Sequence, residues 1–412
     1  MNIWLIGIGE PLSIDGKNVR LRRLGNLASY ISLTNNELHY FSVSFNHYEK
    51  KQRVKKDTII KIESNYSLHI VRVPGYKNNV SLRRIISHKV GAKKIKNLMI
   101  KEIVPDIILT GNTPLELVKE VAKYGEEKGV PVVVDMRDLW PEIFKEVVSK
   151  KLRFFVNPYV YLCRKSLSKS MKKVFSIIGL SEPFMKYGLN IAGRDKCNID
   201  RVIPIGYPNY NYNISSVKFD ELWKNYNISS NDFIVAFTGN FGRQFDFTSI
   251  IQASKILSGD ISIKFVLCGI GENLEKVKKQ CKDNVIFPGW IEKDMINSLL
   301  SNANVGIAPY IDSFNYRNNT PNKFGEYLSA GLPILVSVSG VMENLLSINN
   351  CGSRYKDGKD LAQLIREYKY NDYKQKRINA RNLYDREFNA DFINDKLLKH
   401  LLQVVKEFKK NK

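Results

Sequence analysis

Asn319-Thr320-Pro321-Asn322-Lys323-Phe324-Gly325-Glu326-Tyr327-Leu328-Ser329-Ala330-Gly331-Leu332-Pro333-Ile334 is the stretch from which the architecture can be read. Thr320 is a favourable N-cap, Pro321 suits a first helical position because its missing N–H is not needed there, and Gly331-Leu332-Pro333 stops the helix before an apolar run that opens at Ile334. A helix ended by glycine and followed by a strand is half of a βαβ unit. Such a helix begins at the carboxyl edge of a parallel sheet, where open α/β sheets bind ligands. Its N-terminal N–H groups and positive dipole end, with Lys323 in the first turn, predict a phosphate site. Glu326 lies one turn from Asn322 on the same face, where a carboxylate can accept hydrogen bonds from the vicinal hydroxyls of a ribose.

The same alternation of short β-rich apolar runs with helical periodicity extends in both directions. Towards the C-terminus of the chain, strands are predicted at Phe233–Thr238, Ile263–Cys268, Val285–Phe287, Val305–Ala308 and Ile334–Val338, and the last long helix at Ala390–Phe408. The first half reads as strands Asn2–Gly7, Leu38–Phe45, Leu68–Val73, Asp106–Gly111, Val130–Asp135 and Val174–Ile178, with helices such as Val19–Leu33, Leu82–Ile103 and Leu115–Glu127. Between the two series, Ile203–Ser216 has the turn-prone composition of a linker. A chain of 412 residues with 43% hydrophobic content can fill two cores. The expected fold is α/β, with two Rossmann-like doubly wound parallel-sheet domains facing across a cleft: residues 1–205, residues 206–389, and a C-terminal helix and basic tail, 390–412, packing back toward the first domain.

Two glycine features follow strands. Thr238-Gly239-Asn240-Phe241-Gly242-Arg243 leaves one strand for a helix at Phe247–Leu257. Its glycines let the backbone pass close to a diphosphate, and Arg243 offers a planar fork of donors. A plain strand-to-helix turn explains the same letters. Gly7-Ile8-Gly9 fails as a dinucleotide fingerprint, because the third glycine position is Leu12 and no acidic residue ends the second strand. The five cysteines and five histidines show no paired ligand spacing, which predicts a reducing compartment and no structural zinc. The first residues lack a signal peptide's basic region and cleavage site, and no apolar run is long enough to span a bilayer, so a cytoplasmic protein is expected. Sixty-four Lys and Arg against 41 Asp and Glu give a net charge of +23. This favours polyanionic partners, although a composition rich in Asn and Ile accounts for many lysines without function.

Jointly, the glycine turn at 239–242, Gly269-Ile270-Gly271-Glu272, Phe287-Pro288-Gly289-Trp290, the run from Asn302 to Pro309 and the run from Glu326 to Ile334 resemble glycosyltransferase family 4. The resemblance covers nearly the whole chain. It implies the GT-B fold, transfer with retention at the donor's anomeric carbon, and a nucleotide-diphosphate sugar as donor, with no separate cofactor. It places Glu326 as the second glutamate of the family's pair, the one that grips ribose. Asn318 stands where the first would be. Of the family's arginine and lysine after the glycine turn, Arg243 is present, Phe245 occupies the lysine's place, and Lys323 enters from the adjacent helix start. The implied donor-binding set is Gly239, Asn240, Gly242, Arg243, Gly269, Trp290, Ile291, Asn318, Thr320, Asn322, Lys323 and Glu326. In the first domain, Asp135-Met136-Arg137-Asp138-Leu139-Trp140-Pro141-Glu142 resembles a loop of bacterial members that build surface polysaccharides, with Arg137 and Asp138 where the family commonly has a histidine. Asp138 is the better group to face an acceptor hydroxyl, since an arginine accepts no proton; capping the following turn is its structural alternative. The expected catalytic residues are Asp138, Arg137, Arg243 and Lys323, and the expected acceptor-side residues Gly9, Glu10, Asp15, Gly16 and Asn112. The sequence has no Asp-x-Asp motif, so no metal is assigned.

The acceptor implied is a growing cell-surface glycan or a lipid-linked molecule. Residues 150–173 interleave Phe154, Phe155, Tyr159 and Tyr161 with lysines and arginines, a pattern that suits docking on an anionic membrane surface and equally suits a packed helix with a solvated basic face. Peripheral attachment to the inner face of the cell membrane would follow from the first reading. A GT-B sugar-nucleotide epimerase, acting without an acceptor, is the alternative enzyme. No zinc, helix-turn-helix or RNA-binding signature supports a nucleic-acid partner.

Overall fold

The computed structural model describes residues 1–16, 19–79, 81–144, 153–209, 214–371 and 373–411. It divides into two compact units, one made of Met1–Pro204 with Ile393–Lys412 and the other of Ile205–Phe392.

In the first unit, an eight-stranded sheet has the order β10-β9-β8-β7-β1-β2-β6-β5. The strands are β1 (Asn2–Ile6), β2 (Glu37–Val43), β5 (Thr58–Glu63), β6 (Tyr66–Val71), β7 (Ile107–Gly111), β8 (Val132–Met136), β9 (Ser176–Gly179) and β10 (Arg201–Val202). A two-stranded ribbon, β3 (Phe45–Asn46) with β4 (Lys51–Gln52), follows β2. Seven strands run parallel, and all but the two-residue edge strand β10 are near-continuously buried, as position inside a sheet covered on both faces requires. The edge strand β5 is antiparallel. Thr58, Ile60 and Ile62 are half-buried, while Ile59, Lys61 and Glu63 face water. Because β1 pairs with both β2 and β7, the strand order reverses there, and the loops after β1 and β7 flank a topological switch point.

The second unit repeats the plan with six parallel strands, in the order β13-β12-β11-β14-β15-β16. They are β11 (Phe233–Thr238), β12 (Ile263–Cys268), β13 (Val285–Gly289), β14 (Val305–Ala308), β15 (Ile334–Val336) and β16 (Gly352–Arg354). Here the switch point lies between β11 and β14.

The helix Ala390–Lys410 carries Ile393, Leu397, Leu401 and Val404 on one stripe, at the three- and four-residue spacing of an amphipathic helix. These join Ile3, Leu5, Leu24, Leu27 and Ile107 in a single apolar cluster of the first unit. His400 Nε2 lies 3.1 Å from the buried Ser176 hydroxyl beneath it. Leu401→Ala is expected to destabilise the first unit by about 2–5 kcal/mol through the cavity it leaves, read as a lower urea midpoint.

Candidate functional site

The switch point of the second unit is built on glycine. The carbonyl of Gly239, just after β11, lies where a Cβ on Gly269, just after β12, would fall at 1.8 Å. Gly239 and Gly269 have φ of +151° and +137°, so glycine is required by conformation as well as space. The Gly239 N–H donates to the Cys268 carbonyl at 2.9 Å, and the Phe241 N–H to the Ile270 carbonyl at 2.8 Å. Two strand-to-helix turns thus lie backbone against backbone.

Beside them runs the helix Asn322–Ser329. Its N-cap is Pro321, in extended conformation and without a side-chain cap; Thr320, expected at that position, stands one residue earlier. Thr320 is buried, and its hydroxyl has no hydrogen-bond partner, as is also true of the Asn319 side-chain carbonyl. Uncompensated polar atoms are costly in a protein interior, so the segment before this helix has the character of a ligand site rather than a filled cap.

Lys323, in the first turn, is 7% exposed. Its ammonium sits 4.3 Å from the centre of the Phe237 ring, 5.5 Å from that of Phe245 and 5.6 Å from that of Tyr327, a cation–π arrangement. A Cβ on Gly239 would lie 2.7 Å from Lys323 Nζ. The bare backbone at 239 is therefore what admits the ammonium. Phe245, where the resemblance expects a lysine, forms part of the aromatic wall around a lysine supplied from another element.

Glu326 is 8% exposed and holds two hydroxyls: Tyr207 OH donates to Oε1 at 2.7 Å and Thr238 Oγ1 to Oε2 at 3.2 Å. Neither partner is marked by local pattern, since Tyr207 lies in the linker-like stretch and Thr238 ends a strand. Tyr327 accepts from the Thr238 N–H at 3.1 Å, and burial raises its phenol's pKa well above the ordinary value.

Other expected donor residues take different places. Arg243 is 88% exposed along its side chain, with Nε 3.0 Å from Glu272 of the next turn. The Asn318 side chain donates to the Phe314 carbonyl at 2.7 Å. Gly242 sits in the turn between Asn240 and Phe245, Trp290 is 69% exposed after β13, and Ile291 is buried. Asn322 is exposed.

In the first unit, several expected acceptor residues are committed to internal ion pairs. Asp135, fully buried, receives Arg23 Nε at 2.6 Å and Arg137 Nε at 2.7 Å. Arg137 also bonds Glu10, whose other oxygen accepts the Leu24 N–H at 3.0 Å at the start of the helix Arg23–Ser32. Asp15 receives Arg53 at 2.6 and 2.7 Å and accepts the Leu12 N–H at 2.9 Å. Arg137, Glu10 and Asp15, expected to face the substrate, are thus engaged with partners inside the first unit. Breaking such buried pairs would leave charges uncompensated. Gly9 and Gly16, at φ +94° and +148°, shape the loop around them.

Asp138 differs. Its carboxylate makes no hydrogen bond to a described residue, so it does not cap the following turn. Asn112 fixes the loop instead, donating to the Asp138 carbonyl at 2.6 Å and accepting the Arg137 N–H at 3.1 Å. Burial pushes the Asp138 carboxyl above its usual value, against the pull of Arg137 and Arg84.

One described cluster has the composition of a metal site. Ligand atoms of His39, His69 and Glu102 lie within 4.8 Å of one another. The spacing test missed it because the two histidines come from neighbouring strands. His39 Nδ1 and His69 Nε2 are 2.9 Å apart, closer than the roughly 3.3 Å kept by two nitrogens around a tetrahedral zinc. The two rings share a hydrogen bond, and burial lowers both pKa values, that of His69 to about 4.

The basic aromatic segment enters the structure as the helix Arg153–Met171; Lys150, Lys151 and Leu152 lie outside the described residues. Val160, Leu167 and Met171 are buried, whereas Phe154, Tyr159, Tyr161 and Leu162 are exposed. Among the described residues, no helix is long and apolar enough to cross a membrane.

Residues 232–368 match the family described as Glycosyl transferases group 1. No curated protein matches the chain in sequence. Among solved structures, the chain is similar to sucrose-phosphate synthase of Thermosynechococcus elongatus, with TM-score 0.71 and 14% identity over 98% of this chain and 99% of that one. It is also similar to HepE of Anabaena in complex with UDP, with TM-score 0.68 and 13% identity over 98% and 100%. WaaG, a glycosyltransferase involved in lipopolysaccharide biosynthesis, matches with TM-score 0.62 and 14% identity over 97% and 99%. The chain has the GT-B fold. The comparisons do not favour an epimerase.

Proposed function

We propose that this protein is a retaining glycosyltransferase of family 4 type, which passes a sugar from a nucleotide-diphosphate donor bound by the second unit to a glycan or lipid-linked acceptor bound by the first. The observation that carries the reading is the buried Lys323 ammonium over the glycine turn at the β11/β14 switch point, beside Glu326. A nucleoside diphosphate fits that arrangement part by part. Its phosphates approach the backbone at Gly239 and the N-terminal end of the helix Asn322–Ser329, and its ribose hydroxyls reach Glu326. Relatives of the same fold bind UDP and UDP-glucose, which supports a donor of that chemical class.

Cleavage of the glycosyl–phosphate bond leaves growing negative charge on the diphosphate, and groups fixed in advance where charge develops lower the barrier most. Lys323 and the helix terminus are such groups. Arg243 can join them, because giving up its exposed pair with Glu272 costs at most about 1 kcal/mol. Asp138 orients the acceptor hydroxyl, while Arg137, locked between Asp135 and Glu10, positions the loop. With cationic side chains to neutralise the leaving group and no Asp-x-Asp motif, transfer needs no divalent ion. The exposed aromatic and basic face of the helix Arg153–Met171 would hold the protein on an anionic membrane surface, peripheral on the cytoplasmic side.

In a thermal-shift panel of nucleotides, the matching nucleoside diphosphate should stabilise the wild type, and Lys323→Met should weaken its binding at least tenfold, about 1.4 kcal/mol, while leaving the unphosphorylated nucleoside unaffected. Equal losses for both ligands, or none, would refute the diphosphate assignment. Transfer should survive EDTA; loss of activity restored by magnesium or manganese would contradict metal independence. Binding to liposomes should rise with anionic lipid content and fall with salt, and Phe154→Ser should reduce it without lowering nucleotide affinity. A wild type indifferent to anionic liposomes at low salt would remove the membrane role.

A further inference from the structure

The carboxyl edge of the first unit carries a second group of charges that the ion pairs around Asp135 and Asp15 do not absorb. After β2, the chain passes through His47, Tyr48 and Lys50; after β6, through Tyr76; and the helix Leu82–Met99 then begins, with Arg84 in its first turn. Tyr76 is the hub. His47 Nδ1 lies 2.8 Å from its hydroxyl, and His88 packs edge-on at 6.4 Å. Lys50 Nζ stands 4.9 Å from the ring centre and Arg84 6.0 Å. Next to it, Arg22 lies 4.8 Å from the ring centre of Tyr48.

Three cations thus gather on two tyrosines, and among the described residues none of the three forms an ion pair with a carboxylate. Their hydrogen bonds are to neutral groups: Lys50 Nζ donates to the Asn79 side chain at 2.5 Å and Arg84 Nη1 to the Asn79 carbonyl at 2.8 Å. Arg84 Nε is buried with no partner. Lys50 also holds a left-handed backbone, φ +56°, strain of the kind that collects at functional sites. Their positive charge bears on the neighbouring histidines. Burial, reinforced by Lys50, Arg84 and Arg22, holds His47 down to about 4, and burial with Arg84 and His47 holds His88 down to about 3. Like charges kept together with no carboxylate in ion-pair range suit a multiply charged anion. The same Arg84 acts on the Asp138 carboxyl, so this anion would sit close to the loop assigned to the acceptor.

We propose that Arg22, Lys50 and Arg84 form an acceptor subsite for a phosphate or diphosphate group, with Tyr48 and Tyr76 as its aromatic floor. This rests on the transferase reading and gives the acceptor a chemical class: a molecule that carries its phosphate near the hydroxyl to be glycosylated.

The test uses the full-length protein and inorganic pyrophosphate as probe, in calorimetry on the Lys323→Met background so that the nucleotide site contributes little. Pyrophosphate should bind there, and adding Arg84→Gln or Lys50→Gln should weaken it at least tenfold without lowering the melting temperature. Absence of binding, insensitivity to both substitutions, or glucuronate binding as tightly as pyrophosphate would overturn the proposal. Arg22→Gln, at an exposed position, repeats the test if either of the other variants proves unstable. Transfer assays then separate the sources: a soluble sugar phosphate and a detergent-held lipid diphosphate, each against its dephosphorylated counterpart. A tenfold or greater preference for one phosphorylated acceptor, lost in Arg84→Gln, identifies the source; indifference to phosphate in both arms overturns the subsite. Failure of every nucleotide to bind the wild type would reject the transferase reading instead, and the pyrophosphate titration would still judge the site.

Discussion

The contact between the Gly239 carbonyl and the bare α-carbon of Gly269 is the constraint on which the second unit's carboxyl edge depends. Any side chain at 269 would collide with backbone, which cannot swing aside as the end of a long side chain can. Because the two turns interlock, Thr238 is fixed at the end of β11 with its N–H on Tyr327 and its hydroxyl on Glu326. The space left over Gly239 is then filled by the Lys323 ammonium. The glycines that look like a phosphate cradle in the sequence are needed first for packing one turn on another, and the cradle is a consequence of that packing.

Glu326 ties this edge to the point where the chain enters the unit. Its partner Tyr207 is pinned by its backbone, donating to the Phe388 carbonyl at 2.7 Å and accepting from the Ala390 N–H at 3.0 Å and from Tyr384 OH at 2.8 Å. The entering segment and the residues before the last helix therefore meet at one tyrosine, whose hydroxyl ends on the carboxylate. A carboxylate held by two hydroxyls keeps its orientation, which is the preorganisation that a ribose-binding group requires.

The parallel strands were legible because burial on both faces leaves long apolar runs; β11, β12 and β14 have the limits that the sequence predicts. Three edge strands were not, among them the two-residue β10 (Arg201–Val202). β5 buries only alternate residues, and β16 is Gly352-Ser353-Arg354, three residues with no apolar pattern, held by pairing to β15 alone. The site was half legible for a related reason. Lys323 and Glu326 declare themselves by helical spacing from a visible helix start, but hydrogen bonding across the fold decides what each touches. Tyr207 lies 119 residues from Glu326, and Arg137 lies 127 residues from Glu10; no local pattern encodes such pairs. The start of the site helix was misplaced by one residue because Thr-Pro reads equally as cap and first turn, while the structure puts Pro321 itself at the cap.

In the first unit, what matters is which charges remain unspent after folding. Arg23, Arg137 and Arg53 are matched by Asp135, Glu10 and Asp15, an internal balance of three against three that fixes the loops after β1 and β8. Arg22 is the sequence neighbour of Arg23, yet it lies over Tyr48 rather than beside a carboxylate. The difference between the two is direction: Arg23 begins the helix Arg23–Ser32 and points into the sheet, while Arg22 is its exposed N-cap. A net charge of +23 is spread too widely to identify a ligand. The informative quantity is local, namely cations brought together by the fold on Tyr48 and Tyr76 while Asp135, Glu10 and Asp15 are paired with Arg23, Arg137 and Arg53.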